Sequence, residues 1–167
     1  TCVQAQTYNP GPLNYTNGAN GGCLIQGTIN PTNDPQFDIC GGTDTYTWTF
    51  TDDCDRTITY IQNVTVTPSP VPTFVNPPAN VTVTCAQVYS FNPPALTITN
   101  SESGVCLIQD QVDPVFTIFE GPCGGSFDVV WSYTDPCGRP ISHTQVVTVQ
   151  PSLPIAFVNP PPAITIS

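Results

Sequence analysis

The chain repeats its own sequence with an offset of 83 residues, and no insertion or deletion separates the two copies. Every cysteine, tryptophan and arginine obeys the offset: Cys2, Cys23, Cys40, Cys54, Trp48 and Arg56 recur as Cys85, Cys106, Cys123, Cys137, Trp131 and Arg139. A fixed period of this length is typical of a tandem array of one structural module. We therefore expect a first module at residues 1–70 that lacks its opening strand, a complete second module at 71–153, and the first strand of a following module at 154–167, all cut from a longer array.

Composition and residue alternation both favour short β-strands joined by turns. The chain has 20 prolines and 12 glycines, and 39% of its residues are hydrophobic. In residues 43–51 three aromatic side chains alternate with threonines, which predicts a strand with one buried and one solvated face. Further strands are predicted at residues 58–67, 81–85, 96–99 and 106–112. Gln62 interrupts the apolar side of its strand, either as a bulge or as a polar edge position. Five to seven short strands per module predict an all-β fold of tandem immunoglobulin-like β-sandwich modules.

The charge of the chain limits its partners. Only two residues are Lys or Arg, and the formal net charge is -10. Such a chain repels phosphate backbones and anionic membranes, so we expect no nucleic-acid partner. No apolar run approaches the roughly 18 residues that a membrane span requires, so we expect no membrane insertion.

Eight cysteines in a small, turn-rich chain indicate an oxidising compartment, and we expect an extracellular or cell-surface protein. The strand between Cys40 and Cys54 would span roughly 30 Å, whereas bridged Cα atoms lie within about 7 Å, so these two are not expected to pair. Two disulfides are expected inside each module: Cys2 with Cys40, Cys23 with Cys54, Cys85 with Cys123, and Cys106 with Cys137. A hairpin bridge from Cys85 to Cys106 is the alternative. The absence of a Cys-x-x-Cys pair argues against zinc.

Two segments resemble the closing hairpin of hyalin-repeat-like, immunoglobulin-type modules: WTFTDDCDRTI at residues 48–58 and WSYTDPCGRPI at residues 131–141. With its FVNPPANVTVTC, CLIQ and CGG motifs, the whole chain is similar to repeats of SprB-type giant surface adhesins of gliding Bacteroidetes. The resemblance implies type IX secretion, display as long surface filaments, and adhesion during gliding motility. It supplies no catalytic or ligand residues. Asp55 departs from the turn glycine Gly138 of the second copy, so the two turns are expected to differ.

The chain offers no convincing enzyme chemistry. Catalysis would need a base, a nucleophile or a pair of carboxylates gathered in a pocket. His143 is the only histidine and aligns with Tyr60 on a predicted strand, which favours an ordinary position on the face of a sheet. We therefore expect no enzyme activity and no organic cofactor.

Calcium is the one metal for which the sequence offers candidate ligands. Asp52, Asp53 and Asp55 cluster in one turn, and Ca²⁺ favours clustered carboxylates and carbonyls. The second copy retains only Asp135 at these positions. The competing interpretation is that Asp52 and Asp135 cap their turns and pair with the following arginine of each copy.

Two functions remain open. In the first, the repeats form a stiff, disulfide-stapled stalk whose partners are the neighbouring repeats. In the second, the loops at residues 15–22 and 102–105, which differ between copies, bind a polysaccharide or another surface filament. Trp48 and Trp131 could stack on sugars, although core packing is favoured, and the threonine rows are typical of a solvated sheet face rather than an ice-binding lattice.

Overall fold

A computed structural model describes residues 1–117, 121 and 123–166, and these residues are mostly β-strand. A four-residue helix, α1, covers Cys2–Ala5, and three short 3-10 turns cover Gly21–Cys23, Val88–Ser90 and Gly104–Cys106. The strands are β1 Leu13–Thr16, β2 Gln26–Ile29, β3 Thr32–Asp38, β4 Gly41–Thr51, β5 Thr57–Val66, β6 Thr73–Phe74, β7 Val81–Thr84, β8 Leu96–Thr99, β9 Gln109–Val112, β10 Val115–Phe116, β11 Gly125–Thr134 and β12 Pro140–Gln150. The predicted all-β class is therefore confirmed. None of the described helices has the length and hydropathy of a membrane span.

The described strands form four sheets. Their orders are β1-β2, β3-β4-β5, β6-β8-β9 and β10-β11-β12-β7. The pairings of β1 with β2, β3 with β4, β4 with β5, β6 with β8 and β10 with β11 are antiparallel, whereas β12 pairs with β7 in parallel. A parallel neighbour cannot be reached by a tight hairpin, so β7 comes from far earlier in the chain than β12.

Element positions follow the sequence period. The bounds of β8, of the turn Gly104–Cys106 and of β9 each lie 83 positions after those of β1, of the turn Gly21–Cys23 and of β2. The two long strands β4 and β5 correspond to β11 and β12 within one residue at each end. The same local sequence thus forms the same local structure in both copies.

The chain divides into two compact units that do not follow the predicted module boundaries. One unit contains residues 1–75, 97–112 and 133–141, and the other contains residues 76–96, 113–132 and 142–167. The first unit therefore holds the whole first copy together with two segments of the second copy. The boundaries at 70/71 and 153/154 stay a prediction about sequence repeats. Residues 154–166 form no strand or helix, and Ser167 lies outside the described residues.

Burial along β4 shows why this segment is a strand. Asp44, Tyr46 and Trp48 are buried on one face, while the threonines between them are half-buried or exposed on the other. The predicted alternation at residues 43–51 is confirmed. Gln62 faces Tyr46 in an unbroken β4–β5 register, so the edge interpretation is right and there is no bulge at this position.

Candidate functional site

Two disulfides tie distant parts of the chain together inside the first unit. Cys2 bonds Cys106, with Cα atoms 5.9 Å apart and 104 positions between them in sequence. Cys40 bonds Cys137, with Cα atoms 5.3 Å apart and a separation of 97 positions. Both Cα distances lie in the usual range for bridged cysteines. Each disulfide therefore joins a cysteine of the first copy to one of the second.

This pairing corrects the predicted one. The expected bridges Cys2–Cys40, Cys23–Cys54, Cys85–Cys123 and Cys106–Cys137 are wrong in this structure, and the alternative Cys85–Cys106 does not form either. The prediction confined each bridge to one module. In the structure, the segments that carry Cys2 and Cys40 lie against turns of the second copy. These two cysteines therefore bond Cys106 and Cys137. The expectation that Cys40 and Cys54 are not partners is confirmed.

The Cys2–Cys106 bridge lies in a small buried cluster. Cys2, Ala5, Val66 and Cys106 are all buried there, with Val3 and Phe37 packed against them. A capping box holds α1, since the Thr1 hydroxyl accepts from the Gln4 backbone amide and the Gln4 side chain accepts from the backbone nitrogen of Thr1. Gln6 Nε2 donates to Cys106 Sγ at 2.8 Å. The helix therefore presents both its cysteine and a polar contact to the turn of the second copy.

A single asparagine shapes the loop that carries Cys106. Asn100 Nδ2 donates to the Cys106 carbonyl at 2.9 Å, and Asn100 Oδ1 accepts from the backbone amides of Ile108 at 2.9 Å and Glu102 at 3.2 Å. Asn17 makes the same three contacts in the first copy, to Cys23, Ile25 and Ala19. The two loops predicted to vary thus share one internal frame. Sequence reasoning missed this asparagine, although its recurrence at the 83-residue offset was a usable signal.

Replacing Asn100 with alanine is expected to lower the free energy of unfolding by about 1–3 kcal/mol. The change leaves a half-buried carbonyl and two amides without their partner. Urea unfolding followed by tryptophan fluorescence measures the loss. Asn17→Ala is the matched control, and we expect a smaller loss there because its loop is exposed. Equal losses would contradict a special role for the Cys106 loop.

The Cys40–Cys137 bridge is next to an aspartate-capped turn. Asp135 Oδ1 accepts from the backbone amides of Cys137 and Arg139, both at 2.9 Å, and Asp135 Oδ2 accepts from Arg139 Nε at 2.7 Å. Arg139 Nη1 then donates to the Ser69 carbonyl at 2.7 Å, and Ser69 is buried. The Ser69 amide in turn donates to the Ile39 carbonyl, beside Cys40. The turn is thus anchored to the proline-rich end of the first copy by a disulfide and a charged hydrogen bond.

Charge stabilises this turn. Burial alone would raise the pKa of Asp135, but the hydrogen bonds from the Arg139 backbone and guanidinium, the Arg139 charge and the Cys137 amide outweigh burial and lower the pKa. In the first copy, hydrogen bonds from the Arg56 side chain and backbone lower the pKa of Asp52 in the same way. The predicted pairing of each aspartate with its arginine is confirmed.

Stability is expected to fall in acid through Asp135. Its folded pKa lies below the unfolded value of about 3.9, so its contribution is present above about pH 4 and is lost as the pH falls through the folded pKa. Asp135→Asn is expected to lower stability by about 1–3 kcal/mol at pH 7 and to flatten the decline between pH 5 and pH 2. Urea midpoints across that range measure this, with exposed Asp53→Asn as control. A decline as steep in Asp135→Asn as in the parent chain would contradict the assignment.

The calcium candidates are not assembled into a metal site in the described structure. The Asp52 carboxylate accepts hydrogen bonds from the backbone amides of Cys54 and Arg56 and from the Arg56 guanidinium. Asp53 and Asp55 are exposed, and no group of three or more His, Cys, Asp or Glu residues that could hold a metal occurs among the described residues. Asp55 and Gly138 have φ of 61° and 76°, and each donates to the carbonyl of its turn aspartate. The expected difference between the two turns was therefore wrong.

Four cysteines are free: Cys23, Cys54 and Cys123 are exposed, and Cys85 is half-buried. Each lies 83 positions from a bonded cysteine. The two disulfides therefore involve only four of the eight cysteines that recur at the 83-residue offset.

The first copy also contains an aromatic pocket. It has a volume of about 230 Å³ and is lined by Leu13, Asn14, Tyr15, Ile29, Trp48, Phe50, Ile58, Thr59 and Tyr60. Tyr15 stacks on Phe50 with ring centroids 3.9 Å apart, and the Tyr60 side chain is 58% exposed. The pocket therefore combines an aromatic floor with an open rim.

The remaining candidates occupy structural positions. Trp48 and Trp131 are buried, and each indole nitrogen donates to a backbone carbonyl at 3.1 Å, of Gly11 and of Pro94. The core interpretation of both tryptophans is confirmed. His143 lies on β12 with Nε2 2.9 Å from the Pro78 carbonyl, as expected for a residue on the face of a sheet.

Comparison with family models, curated proteins and solved structures finds no match to the chain. The interpretation of its function therefore depends on the geometry described above.

Proposed function

We propose that the chain is a structural segment of an extracellular surface filament, built from tandem immunoglobulin-like β-sandwich repeats and acting as a disulfide-linked stalk in adhesion or gliding. The observation that carries this proposal is that both disulfides connect successive copies rather than closing loops within one copy. Disulfides of this kind indicate a protein that lies outside the cytoplasm. Bridges between copies oppose separation of neighbouring repeats under load, which a stalk requires.

The features that the two copies share belong to the framework of the fold. The buried tryptophans Trp48 and Trp131 and the aspartate-capped turns recur at the 83-residue offset. What the copies share supports folding and linkage between repeats.

Single-molecule stretching between the chain ends tests the stalk proposal. With disulfides intact, the Cys2–Cys106 bridge shields 104 positions from extension, so reduction is expected to add about 360 Å of contour length. A glycan array probed with the oxidised chain should show no saturable binding. The proposal is overturned if the oxidised chain extends as far as the reduced chain, or if it binds a defined glycan.

Binding of a carbohydrate is the second candidate, and the aromatic pocket favours it. Tyr60 presents a half-exposed ring beside Trp48, with centroids 5.6 Å apart, and aromatic faces suit sugar stacking. Under this alternative, Tyr60→Ala abolishes retention on a glycan array, whereas Tyr89→Ala, which removes a 67% exposed ring elsewhere, does not. Equal retention by the two variants would count against the pocket.

A further inference from the structure

The two observed disulfides follow one pairing rule, and the four free cysteines have no partner under that rule within the chain. Within the structure, the first and third cysteines of one copy bond the second and fourth cysteines of the next copy. By the 83-residue offset, Cys85 and Cys123 are the first and third cysteines of the second copy. Cys23 and Cys54 are the second and fourth cysteines of the first copy. Under this rule, the disulfide partner of each free cysteine would belong to a further repeat outside these two.

We propose that two copies of the chain join head to tail, with Cys85 and Cys123 of the leading copy bonded to Cys23 and Cys54 of the following copy. The leading copy contributes the same two positions that Cys2 and Cys40 occupy in the observed bridges. The following copy contributes the positions of Cys106 and Cys137. A head-to-tail contact of this kind does not close on itself and extends into a filament.

Equivalent residues of the two copies differ in surface exposure. The side chain of Arg56 is 68% exposed, whereas that of its equivalent Arg139 is 28% exposed and donates to Ser69. Cys23 is exposed, whereas its equivalent Cys106 is fully buried. The groups that pack at the observed junction are therefore uncovered at the equivalent place in the first copy.

The two glycines of the cysteine-bearing turns give the same result. Gly21 and Gly104 both have φ of +58°, so their backbones match. A Cβ on Gly104 would lie 2.8 Å from Gln6 Oε1, whereas a Cβ on Gly21 would meet nothing within 4 Å. The Gly21 turn has the shape that receives a helix from a preceding repeat, and that space is open.

Each new bridge is a two-electron oxidation. Two S–H bonds break and one S–S bond forms, which releases two protons and two electrons. The electrons reduce the disulfide of a thiol–disulfide oxidant to two thiols. In vitro, oxidised glutathione serves as that oxidant and yields two molecules of reduced glutathione.

A duplicated chain tests the pairing. Residues 1–166 followed by residues 1–167 preserve the 83-residue register. Serine replaces Cys23 and Cys54 in the first half and Cys85 and Cys123 in the second half, so the proposed partners are the only cysteines that remain outside the observed bridges. After dilute refolding in a glutathione buffer, alkylation should find no free thiol. Peptic peptides should link Cys85 to Cys23 and Cys123 to Cys54.

The reversed variant is the control. Serine now replaces Cys85 and Cys123 in the first half and Cys23 and Cys54 in the second, so the same number of cysteines remains at the outer positions. Those four thiols should stay open to alkylation in dilute solution. In both variants the peptides Cys2–Cys106 and Cys40–Cys137 report correct folding. When both of these reporter peptides are found, the proposal is overturned by free thiols at the four proposed positions of the first variant. A bridge between Cys85 and Cys123 would also overturn it.

A different observation identifies a non-covalent part of the same contact. In the second copy, β7 pairs along β12 from Val81–Val147 to Thr84–Gln150. The segment before β7 is held by Gln145 Nε2, which donates to the Ala79 carbonyl at 2.6 Å, and by the Val146 amide, which donates to Asn80 Oδ1 at 2.9 Å. In the first copy, β5 lies at a sheet edge with β4 as its neighbour.

Apolar residues of β1 and β5 are more exposed than their equivalents in the second copy. Leu13 is 38% exposed, whereas its equivalent Leu96 is 7% exposed, and Ile58 is 57% exposed, whereas its equivalent Ile141 is half-buried. Val64 is half-buried, whereas Val147 is 0% exposed. The aromatic pocket is lined by residues of β1, β2, β4 and the start of β5.

The end of the chain carries the matching strand. Residues 157–166 read FVNPPPAITI, close to the FVNPPANVTV of residues 74–83. Phe157, Ile164 and Ile166 are 92%, 79% and 87% exposed. Asn159 has φ of 53° and its equivalent Asn76 has φ of 49°, so the tail already has the bend of the docked segment. An exposed apolar segment with a preformed bend is suited to adding a strand to an open sheet edge.

From this second observation we infer that residues 157–166 of one copy bind along β5 of a second copy. The parallel register of β7 on β12 places Ile164 opposite Val64 and Ile166 opposite Val66. Ile166 then buries the side chain that Val83 buries in the second copy, where it is 8% exposed. The tail of the leading copy and its two cysteines reach the same repeat of the following copy.

A peptide of residues 154–167 added to the ¹⁵N-labelled full chain tests strand addition without any thiol chemistry. Saturable shifts are expected for the amides of β5 at residues 62–66, and not for residues 145–149 of β12, whose edge is occupied. A peptide with Ile166→Asp should bind at least tenfold more weakly, whereas Thr165→Asp should change little because its equivalent, Thr82, is exposed. Absent shifts, equal shifts in β5 and β12, or equal binding of the two variant peptides would reject the inference.

Discussion

Replacement of both Cys40 and Cys137 with serine is expected to lower the free energy of unfolding of the first unit by about 4 kcal/mol. The bridge spans 97 positions, and in the chain-entropy model a crosslink of this length strongly limits the unfolded ensemble. The double replacement also frees the Asp135–Arg139 turn from its covalent anchor. Urea unfolding at pH 7 without reductant, followed by tryptophan fluorescence, measures the loss.

Cys54→Ser is the matched control for this experiment. Cys54 is the equivalent of Cys137 in the first copy, but it is free and exposed. Its replacement in the isolated chain should change stability by less than about 0.5 kcal/mol. If the double variant is no less stable than Cys54→Ser, the link between copies does not stabilise the fold, and the stalk proposal loses its main physical support.

Trp131→Ala is expected to lower the stability of the second unit by about 3–5 kcal/mol. The Trp131 side chain is fully buried, and its indole nitrogen donates to the Pro94 carbonyl. Its removal leaves a large cavity and an unpaired carbonyl, which are two of the costliest changes in a small core. Thermal and urea unfolding, followed by far-ultraviolet circular dichroism, measure the effect.

Two further variants separate the sources of this loss. Trp131→Phe keeps an aromatic ring but removes the donor to Pro94, so a loss intermediate between none and that of alanine is expected. Tyr89→Ala removes a ring that is 67% exposed and should change stability little. A Trp131→Ala protein as stable as Tyr89→Ala would contradict the assignment of this residue to the core.

The two copies show how one sequence pattern gives different surfaces. Trp48 and Trp131 make the same hydrogen bond at the 83-residue offset, yet Trp48 lines an open pocket. Leu13 and Ile58 of the first copy are exposed, whereas their equivalents Leu96 and Ile141 are buried and half-buried. The proposed head-to-tail contact explains the exposed tail, the open edge and the free cysteines with one partner, a second copy of the chain.

Local features of the fold were predictable because they depend on neighbouring residues. The alternation in residues 43–51 predicted β4. The interpretation in which Asp52 and Asp135 cap their turns and pair with the following arginine is the one that the structure shows. Residues 106–112 were predicted as one strand. The structure begins β9 at Gln109, because a 3-10 turn at Gly104–Cys106 occupies the segment before it. The asparagine frame was overlooked, although Asn17 and Asn100 recur at the 83-residue offset, because a polar residue in a loop does not by itself reveal its hydrogen-bond partners.

The sequence by itself determined the 83-residue period, the all-β class, the buried aromatic face and the aspartate–arginine turns, all of which follow from local pattern and chemistry. Only the tertiary structure decided which cysteines bond. Loop-closure entropy grows only with the logarithm of loop length, so sequence spacing scarcely distinguishes a bridge within one copy from one that spans 97 or 104 positions. The choice is made where α1 and the proline-rich segment of one copy meet the turns of the next, and that meeting is a property of the folded chain.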